Sequence, residues 1–259
     1  MPGILLRIPY IQNKVSEVAT TQLSGHLGVP VKIGNVDIEW FNRLVLEGLY
    51  LEDQDGKVMF EANHVAAGFE IMPLLEGKFV FTTVRLFGFS FNLRKHTPES
   101  PLNLQFVIDA FASKDSIKKE KNIDLRFNSI MIRRGNFSYN VDSEKETPGK
   151  FNAKHIDIKN LSAKIHLKAF NKDSVNAHIK KMSFDEASGF SLNKLSLNVV
   201  GNRDSAFVQD FEVRLPQTNL KIGRARIDLS EIDSLPALLN NAPIDLNITP
   251  SQICLKDLS

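Results

Sequence analysis

Few residues in this sequence have the types and spacing that metal binding or acid–base chemistry requires. The six histidines are scattered, and no cysteine or carboxylate cluster accompanies the pair of most interest, His155 and His166. Because a protein zinc site draws several such ligands together, we expect both histidines to face solvent from their strands. Cys254 is the only cysteine, which excludes an intrachain disulfide and a multi-cysteine metal site.

The chain also lacks the short motifs that mark common enzyme classes. It has no phosphate-binding loop, dinucleotide fingerprint, HExxH zinc motif or GxSxG nucleophile elbow. We therefore expect that the protein is not an enzyme and has no catalytic residue, no metal and no cofactor.

The charge of the chain gives little reason to expect a nucleic-acid partner. Its 259 residues carry 32 basic and 30 acidic side chains, a net charge of +2. Residues 101–200 are mildly basic, with 17 basic and 11 acidic side chains, but their aromatic residues lie on the apolar side of the strands. We expect no nucleic-acid binding.

The aromatic residues favour apolar contacts. Phenylalanine occurs 18 times, against three tyrosines and one tryptophan. Rings without a hydroxyl suit burial or contact with hydrocarbon, which argues against a β-sandwich that binds sugar or protein through exposed Trp and Tyr. No stretch reaches the ~18–20 apolar residues of a membrane-spanning helix, and the N-terminus lacks the pattern of a signal peptide.

The first segment has helical periodicity. Apolar residues recur at steps of three and four from Ile4 to Leu27, which predicts an amphipathic helix that ends at Gly28. Two interpretations are open. The helix caps one end of a β core, or it lies against a membrane and continues an anchor upstream.

The rest of the chain reads mainly as strands. From Val31 onward apolar and polar residues alternate, and turn residues separate the strands, as at Asp53–Gly56 and Arg134–Asn136. The Phe-rich residues 78–94 are predicted as a hairpin or one long bent strand. This spacing is typical of an antiparallel meander.

Three further elements interrupt or end this series. Helical spacing predicts a short helix over residues 102–113, followed by a charged loop. Ser234 and Pro236 favour another short helix over residues 235–240. The apolar run that begins at Ile253 predicts the start of one more strand.

The strands have one apolar and one polar face, which indicates a half-buried antiparallel sheet. The apolar face must be covered by a second sheet, by helices or by an apolar ligand. The predicted helices are too few to cover about a dozen strands. The residues alone leave two alternatives: a closed core, as in a sandwich or barrel, or an open groove that holds acyl chains.

Three stretches carry a family resemblance. The first runs through Leu6-Arg-Ile-Pro-Tyr-Ile-Gln-Asn-Lys-Val15 to Leu23-Ser-Gly-His-Leu-Gly-Val-Pro-Val-Lys-Ile-Gly-Asn-Val-Asp-Ile-Glu-Trp-Phe41. The second is Leu44-Val-Leu-Glu-Gly-Leu-Tyr-Leu-Glu-Asp53, and the third is Phe184-Asp-Glu-Ala-Ser-Gly-Phe-Ser-Leu192 with Leu195-Ser-Leu-Asn-Val199. They resemble the helix and first strand after the membrane anchor, the next strand, and a recurrent strand pair of the AsmA/TamB family of bacterial envelope proteins, Bacteroidetes type.

The resemblance implies a mainly β fold: an elongated, twisted antiparallel meander curled into a U-shaped hydrophobic groove, with an N-terminal amphipathic helix and short intervening helices. It divides the chain into a helix at 1–28 that follows a missing membrane anchor, a first β section at 29–96, a short helix and charged loop at 97–122, and a continuing groove section at 123–259. In this interpretation the chain is the N-terminal periplasmic portion of a longer protein, truncated at its C-terminal end.

The resemblance also implies a function. Family members are anchored in the inner membrane, cross the periplasm and are implicated in moving phospholipid between the inner and outer membranes. We therefore expect phospholipid as a transported ligand, a periplasmic location with an inner-membrane anchor, and an Omp85-family outer-membrane protein as partner. The alternative is a scaffold or chaperone that assists such a partner in outer-membrane protein assembly.

The groove prediction names eight residues. Each lies on the apolar face of a predicted strand, and plain core packing is the alternative role for each. The residues expected to face acyl chains are Phe127, Ile158, Leu167, Phe184, Leu197, Val213, Ile222 and Ile227.

Overall fold

A computed structural model gives the structure of the chain. It describes residues 17, 20–39, 42–70, 72, 79–111, 123–171, 174–202, 204–228 and 243–258. The predicted helix at 235–240, the charged loop at 114–121 and most of the predicted N-terminal helix before residue 20 lie outside these residues. No helix in these ranges has the length and apolar content that a membrane crossing requires.

The described chain is mainly β, as predicted. Twelve strands pair in chain order as β1-β3-β4-β5-β6-β7-β8-β9-β10-β11-β12, with β2 paired to β3. Every strand pair whose register is described is antiparallel. The strands are β1 Val31–Lys32, β2 Asn35–Glu39, β3 Arg43–Glu52, β4 Val58–Phe69, β5 Phe79–Lys95, β6 Ile123–Val141, β7 His155–Asn171, β8 Ser174–Glu186, β9 Ser191–Asn202, β10 Ser205–Arg214, β11 Asn219–Asp228 and β12 Ile244–Ile248.

Helical structure is limited in the described chain. Residues 20–27 are helical and are called α1, and Gln105–Phe111 forms α2. A 3₁₀ turn covers Leu255–Leu258, so the strand predicted from Ile253 onward is wrong. The Lys256-Asp257 pair interrupts the apolar run after one step, too soon for alternation to continue.

The turn at Asp53–Gly56 is confirmed. Gly56 has a φ of 71°, and the Asp53 carboxylate accepts hydrogen bonds from the amides of Asp55 and Lys57. The turn predicted at Arg134–Asn136 is wrong, because β6 runs through it from Ile123 to Val141. Arg134 has a φ of 54°, an irregularity that β6 contains without reversing direction.

Phe79–Lys95 form one long strand, β5, and not a hairpin. Gly88 lies within this segment and has a φ of 57°, but the strand continues through it. Asn160 has a φ of 56° within β7. Both strands therefore continue through a residue in the left-handed region.

Contacts between α-carbons divide the chain into two compact units. Unit 1 comprises Met1–Phe127, Ile132–Leu161 and Glu186–Ser188, and unit 2 comprises Asn128–Met131, Ser162–Asp185 and Gly189–Ser259. In unit 1 a core of Val31, Ile33 and Val36 packs against Leu23 and Leu27 of α1 and against leucines of β3.

Side chains of α1 also replace a strand partner for the edge of the sheet. Ser24 Oγ accepts a hydrogen bond from the amide of Val31 at 3.0 Å and donates to its carbonyl at 3.2 Å. Thr20 Oγ1 accepts from the amide of Ile33 at 3.2 Å. The described part of the helix thus covers backbone groups that an edge strand otherwise leaves open.

Candidate functional site

The register of unit 2 places apolar side chains in rows across one face of the sheet. Directly paired residues of antiparallel strands point to the same face. One row joins Ala177, Val199, Val208, Ala225 and Leu246. Because residues two apart in a strand share a face, the neighbouring rows belong to the same surface.

Further rows lie beside this one. Leu195 pairs with Val213, which pairs with Leu220, and Leu197 pairs with Ile179. We call the combined surface the apolar face of unit 2. Its other rows are Phe211, Ile222 and Ile248, then Ala206, Ile227 and Ile244, with Phe184 and Leu192 at one end.

The structure brings five of the eight predicted groove residues to this surface. These are Phe184, Leu197, Val213, Ile222 and Ile227, contributed by strands β8 to β11. All five side chains are half-buried.

The other three predicted residues are placed differently. Leu167 lies in β7 within unit 2 and is half-buried, and Ile158 lies in the part of β7 that belongs to unit 1. Phe127 lies in β6, and its side chain is outside the described side chains. Periodicity assigned each residue to a face of its own strand but carried no information about which strands share a unit.

Burial differs between the two units. The largest fully buried side chains of the described chain, Met59 and Val141, both belong to unit 1. The buried hydrophobic residues described in unit 2 include three alanines, and these residues are Ala163, Leu192, Ala206, Leu215 and Ala225. Apart from Leu192, the larger residues of the apolar face are therefore in partial contact with solvent in the described chain.

Within the apolar face, exposure is greatest at strand β12. Ile244 is 56% exposed, Leu246 44% and Ile248 57%, and all three belong to the apolar face. These three residues are not among the eight predicted groove residues. Their Ile-x-Leu-x-Ile alternation was the available signal, but alternation does not distinguish a covered row from an exposed one.

The opposite face of unit 2 is polar and partly ion-paired. Glu212 accepts hydrogen bonds from Lys194 Nζ at 2.5 Å and from Arg214 Nε at 2.6 Å. The bond from Lys194 and the two positive charges hold the pKa of Glu212 below its usual value, although burial opposes this. Arg224 and Arg226 lie over the ring of Phe207, at 4.9 and 6.0 Å from its centroid.

Unit 1 contains a polar cleft of about 640 Å³ along strands β4 to β7. Several of its wall side chains bond to one another. Ser138 Oγ donates to Asn92 Oδ1 at 2.8 Å, and a ring nitrogen of His155 lies 3.1 Å from Asn140 Oδ1. These polar groups already have partners, so the cleft is a hydrogen-bonded part of the sheet rather than a set of free ligand contacts.

A buried acidic residue links the turn of the β3–β4 hairpin to strand β5. Burial raises the pKa of Asp53, but the bonds from Asn103 Nδ2 and the Lys57 amide, together with the charge of Arg94, outweigh this and lower the pKa overall. Asp53 therefore remains a carboxylate at neutral pH, and its role in the geometry is to hold the turn.

The two histidines expected to face solvent are both half-buried. The second ring nitrogen of His155 lies 3.1 Å from the carbonyl oxygen of Glu144. His166 Nε2 is buried and has no hydrogen-bond partner among the described residues. Both side chains keep partial contact with solvent, and each lines a cleft that alternation alone does not reveal.

The geometry combines an exposed apolar face with a polar reverse face in one unit. No family profile, curated protein or solved structure matches the chain.

Proposed function

We propose that the apolar face of unit 2 binds the acyl chains of phospholipid and that the protein transfers phospholipid between the inner and outer membranes. One observation carries the proposal: apart from the buried Leu192, the large apolar residues of β8 to β12 form contiguous rows that remain half-buried or exposed. A surface of this kind favours the binding of hydrocarbon, because binding removes its apolar side chains from water.

The dimensions of the face suit an extended chain. Neighbouring strands lie about 4.8 Å apart, so a row across β8 to β12 spans about 19 Å. Each CH₂ group removed from water contributes about 0.8 kcal/mol, without any directional bond. Binding of this kind tolerates many acyl chains, and charged head groups stay in water at the edge of the face.

The resemblance to the AsmA/TamB family adds a family and a cellular location to the proposal. We propose that the chain belongs to that family and that its sheet curls into a U-shaped groove. In this proposal the protein acts in the periplasm from an inner-membrane anchor, without catalysis, metal or cofactor.

Lipid extraction and transfer test the proposal together. The chain is purified without detergent and its extracted lipids are measured by mass spectrometry, beside a control β protein prepared identically. Transfer of a fluorescent phospholipid between donor and acceptor vesicles is then measured. We expect stoichiometric phospholipid and protein-dependent transfer. A folded, lipid-free protein without transfer activity would contradict the proposal.

Paired variants locate the binding face. We expect Leu197→Asp with Ile222→Asp to abolish lipid association, because two carboxylates would have to be desolvated beside acyl chains. The control places two carboxylates on the opposite face of the same unit, as Gln209→Asp with Asn247→Asp. Circular dichroism checks folding, and Leu197→Ser with Ile222→Ser replaces the first pair if it does not fold.

A second candidate function rests on strand β12. It pairs with β11, and its three apolar residues are exposed in the described chain. An exposed strand can take up a partner strand through backbone hydrogen bonds. We propose as the alternative a scaffold or chaperone that helps an Omp85-family protein assemble outer-membrane proteins.

Partner capture distinguishes the two functions. If the scaffold function is correct, Leu246→Pro should abolish binding of a purified Omp85-family protein, because proline removes an amide and disturbs the strand. Lipid content should then be negligible in both the parent chain and the variant. Stoichiometric lipid without partner binding favours transfer.

A further inference from the structure

An open cleft of about 510 Å³ in unit 2 has a basic lining. It is formed by neighbouring strands β7 and β8, with one contribution from β6. Among the described residues, no carboxylate lines it. The lining residues are Asn128, His166, Leu167, Lys168, His178 and Lys180.

One of the lining residues, His166, has a buried ring nitrogen without a partner among the described residues. His166 Nε2 is buried and makes no hydrogen bond to the described residues. Burial first, and then the positive charges of Lys180, Lys164 and His178, lower the pKa of His166. A neutral imidazole still carries one N–H, and in the Nε2–H tautomer that donor is unused.

The charges around His166 also lack acidic partners among the described residues. Lys194 and Arg214 of the same unit share Glu212, but no ion pair joins Lys164, Lys168 or Lys180 to a described carboxylate. The sequence explains the difference, because residues 158–184 contain six lysines and a single acidic residue, Asp173.

Clustered like charges raise one another's electrostatic energy, and a bound anion removes that cost. An anion in this cleft would meet two kinds of group: ammonium groups that supply charge, and a buried N–H that supplies a directed bond. A tetrahedral oxyanion accepts both, since it presents several oxygens at once.

We propose that this cleft binds the phosphate group of an anionic ligand, with Lys164, Lys168 and Lys180 supplying charge and His166 donating from Nε2. Either the head group of an anionic phospholipid or free phosphate provides this chemistry. The proposal does not rest on lipid transfer, because His178 pairs with Asn198 on the polar face of the sheet, opposite the acyl-binding surface.

NMR of the histidine rings in the full chain measures the binding directly. Inorganic phosphate is titrated while the resonances of His166 and His178 are followed, with His26 as an internal reference. Vesicles of phosphatidylglycerol and phosphatidylcholine, compared with vesicles of phosphatidylcholine alone, test the head-group source by cosedimentation. A shift of His166 with phosphate alone assigns a free anion, and cosedimentation with anionic vesicles that phosphate cannot displace assigns a head group.

Two triple variants separate a site from general charge. We expect Lys164→Gln, Lys168→Gln and Lys180→Gln to weaken binding roughly fivefold or more, the loss that about 1 kcal/mol produces. The control, Lys57→Gln, Lys145→Gln and Lys150→Gln, removes the same net charge from exposed positions of unit 1 and should change binding less than about twofold. Equal loss in both variants, or no response of His166 to either probe, would overturn the proposal.

Discussion

Arg94 Nη2 lies 2.9 Å from Oδ2 of Asp53, whose side chain is only 2% exposed. The same guanidinium nitrogen lies 2.6 Å from Asp55 Oδ2. Removing one member of a buried ion pair costs about 3–5 kcal/mol, because the other charge is left without compensation. We expect Arg94→Met to lower the free energy of unfolding by an amount near the lower end of this range, since Asn103 still donates a hydrogen bond to Asp53. Urea unfolding measures the loss.

The Arg43–Glu39 pair is a control for this variant. Its side chains are 32% and 38% exposed, and its nitrogen–oxygen distance is 3.2 Å. Exposed pairs contribute about 0–1 kcal/mol, so Arg43→Met should change the free energy of unfolding by less than about 1 kcal/mol. Similar losses of unfolding free energy in the two variants would show that the ion pairs of Arg94 stabilise the fold no more than the exposed pair does.

Acid should destabilise unit 1 through Asp53. The pKa of Asp53 is lower in the folded chain than its usual value, so the unfolded chain binds the proton first. The stabilisation is complete above the unfolded pKa of about 3.9 and is lost as pH falls through the folded pKa. Urea unfolding at a series of pH values should show this decline, and Asp53→Asn should flatten it. An equally steep decline in Asp53→Asn would assign the effect to other carboxylates.

Two glycines of unit 1 should respond oppositely to alanine. A Cβ at Gly135 would collide with the ring of Phe89, which packs against Phe60 and is 6% exposed. We expect Gly135→Ala to cost about 1–3 kcal/mol, as overpacking of a core does.

Gly25 lies in α1, and a Cβ there would meet nothing within 4 Å. Gly25→Ala should therefore stabilise by about 0.5–1 kcal/mol, because alanine loses less backbone entropy in a helix. Thermal unfolding of both variants checks the pair. A neutral Gly135→Ala would mean that the Phe89 ring moves aside without cost.

His166 should titrate below an ordinary histidine. Burial lowers its pKa most, followed by the charge of Lys180. Lys180→Gln should therefore raise the pKa of His166 part of the way towards about 6.5, and Lys145→Gln should leave it unchanged. The pH dependence of the ring resonances measures both values. If the pKa of His166 were the same in Lys180→Gln as in the parent chain, the result would contradict the proximity of the two side chains.

Local sequence signals predicted much of the fold. Alternation identified strands from Val31 to Ile248, and the turn chemistry at Asp53–Gly56 located a hairpin. The same signals failed at Arg134–Asn136, since a Gly-containing triplet with a left-handed residue occurs in turns and in bulged strands alike. Only pairing with neighbouring strands decides between them.

The candidate surface could be predicted only in part. Period-two alternation placed Leu197, Val213 and Ile222 on apolar faces, and the register then joined them. The cleft at His166 left no local signal, because it depends on which strand lies beside β7. Burial of one ring nitrogen is a tertiary property that neither composition nor spacing contains.

Two bulges in unit 2 have an evolutionary consequence. β10 has one extra residue relative to β9 between Gln209 and Glu212, and β11 has one extra residue relative to β12 between Ile222 and Arg224. The intervening register pairs Gln209 with Arg224 and Phe211 with Ile222, so Asp210 lies opposite Gly223. Deleting only Asp210, or only Gly223, would shift the pairing of β10 with β11 by one residue. The side chains beyond the deletion would then point to the opposite face of the sheet. Relatives that keep this face should therefore gain or lose residues at positions 210 and 223 together, as one coupled insertion or deletion.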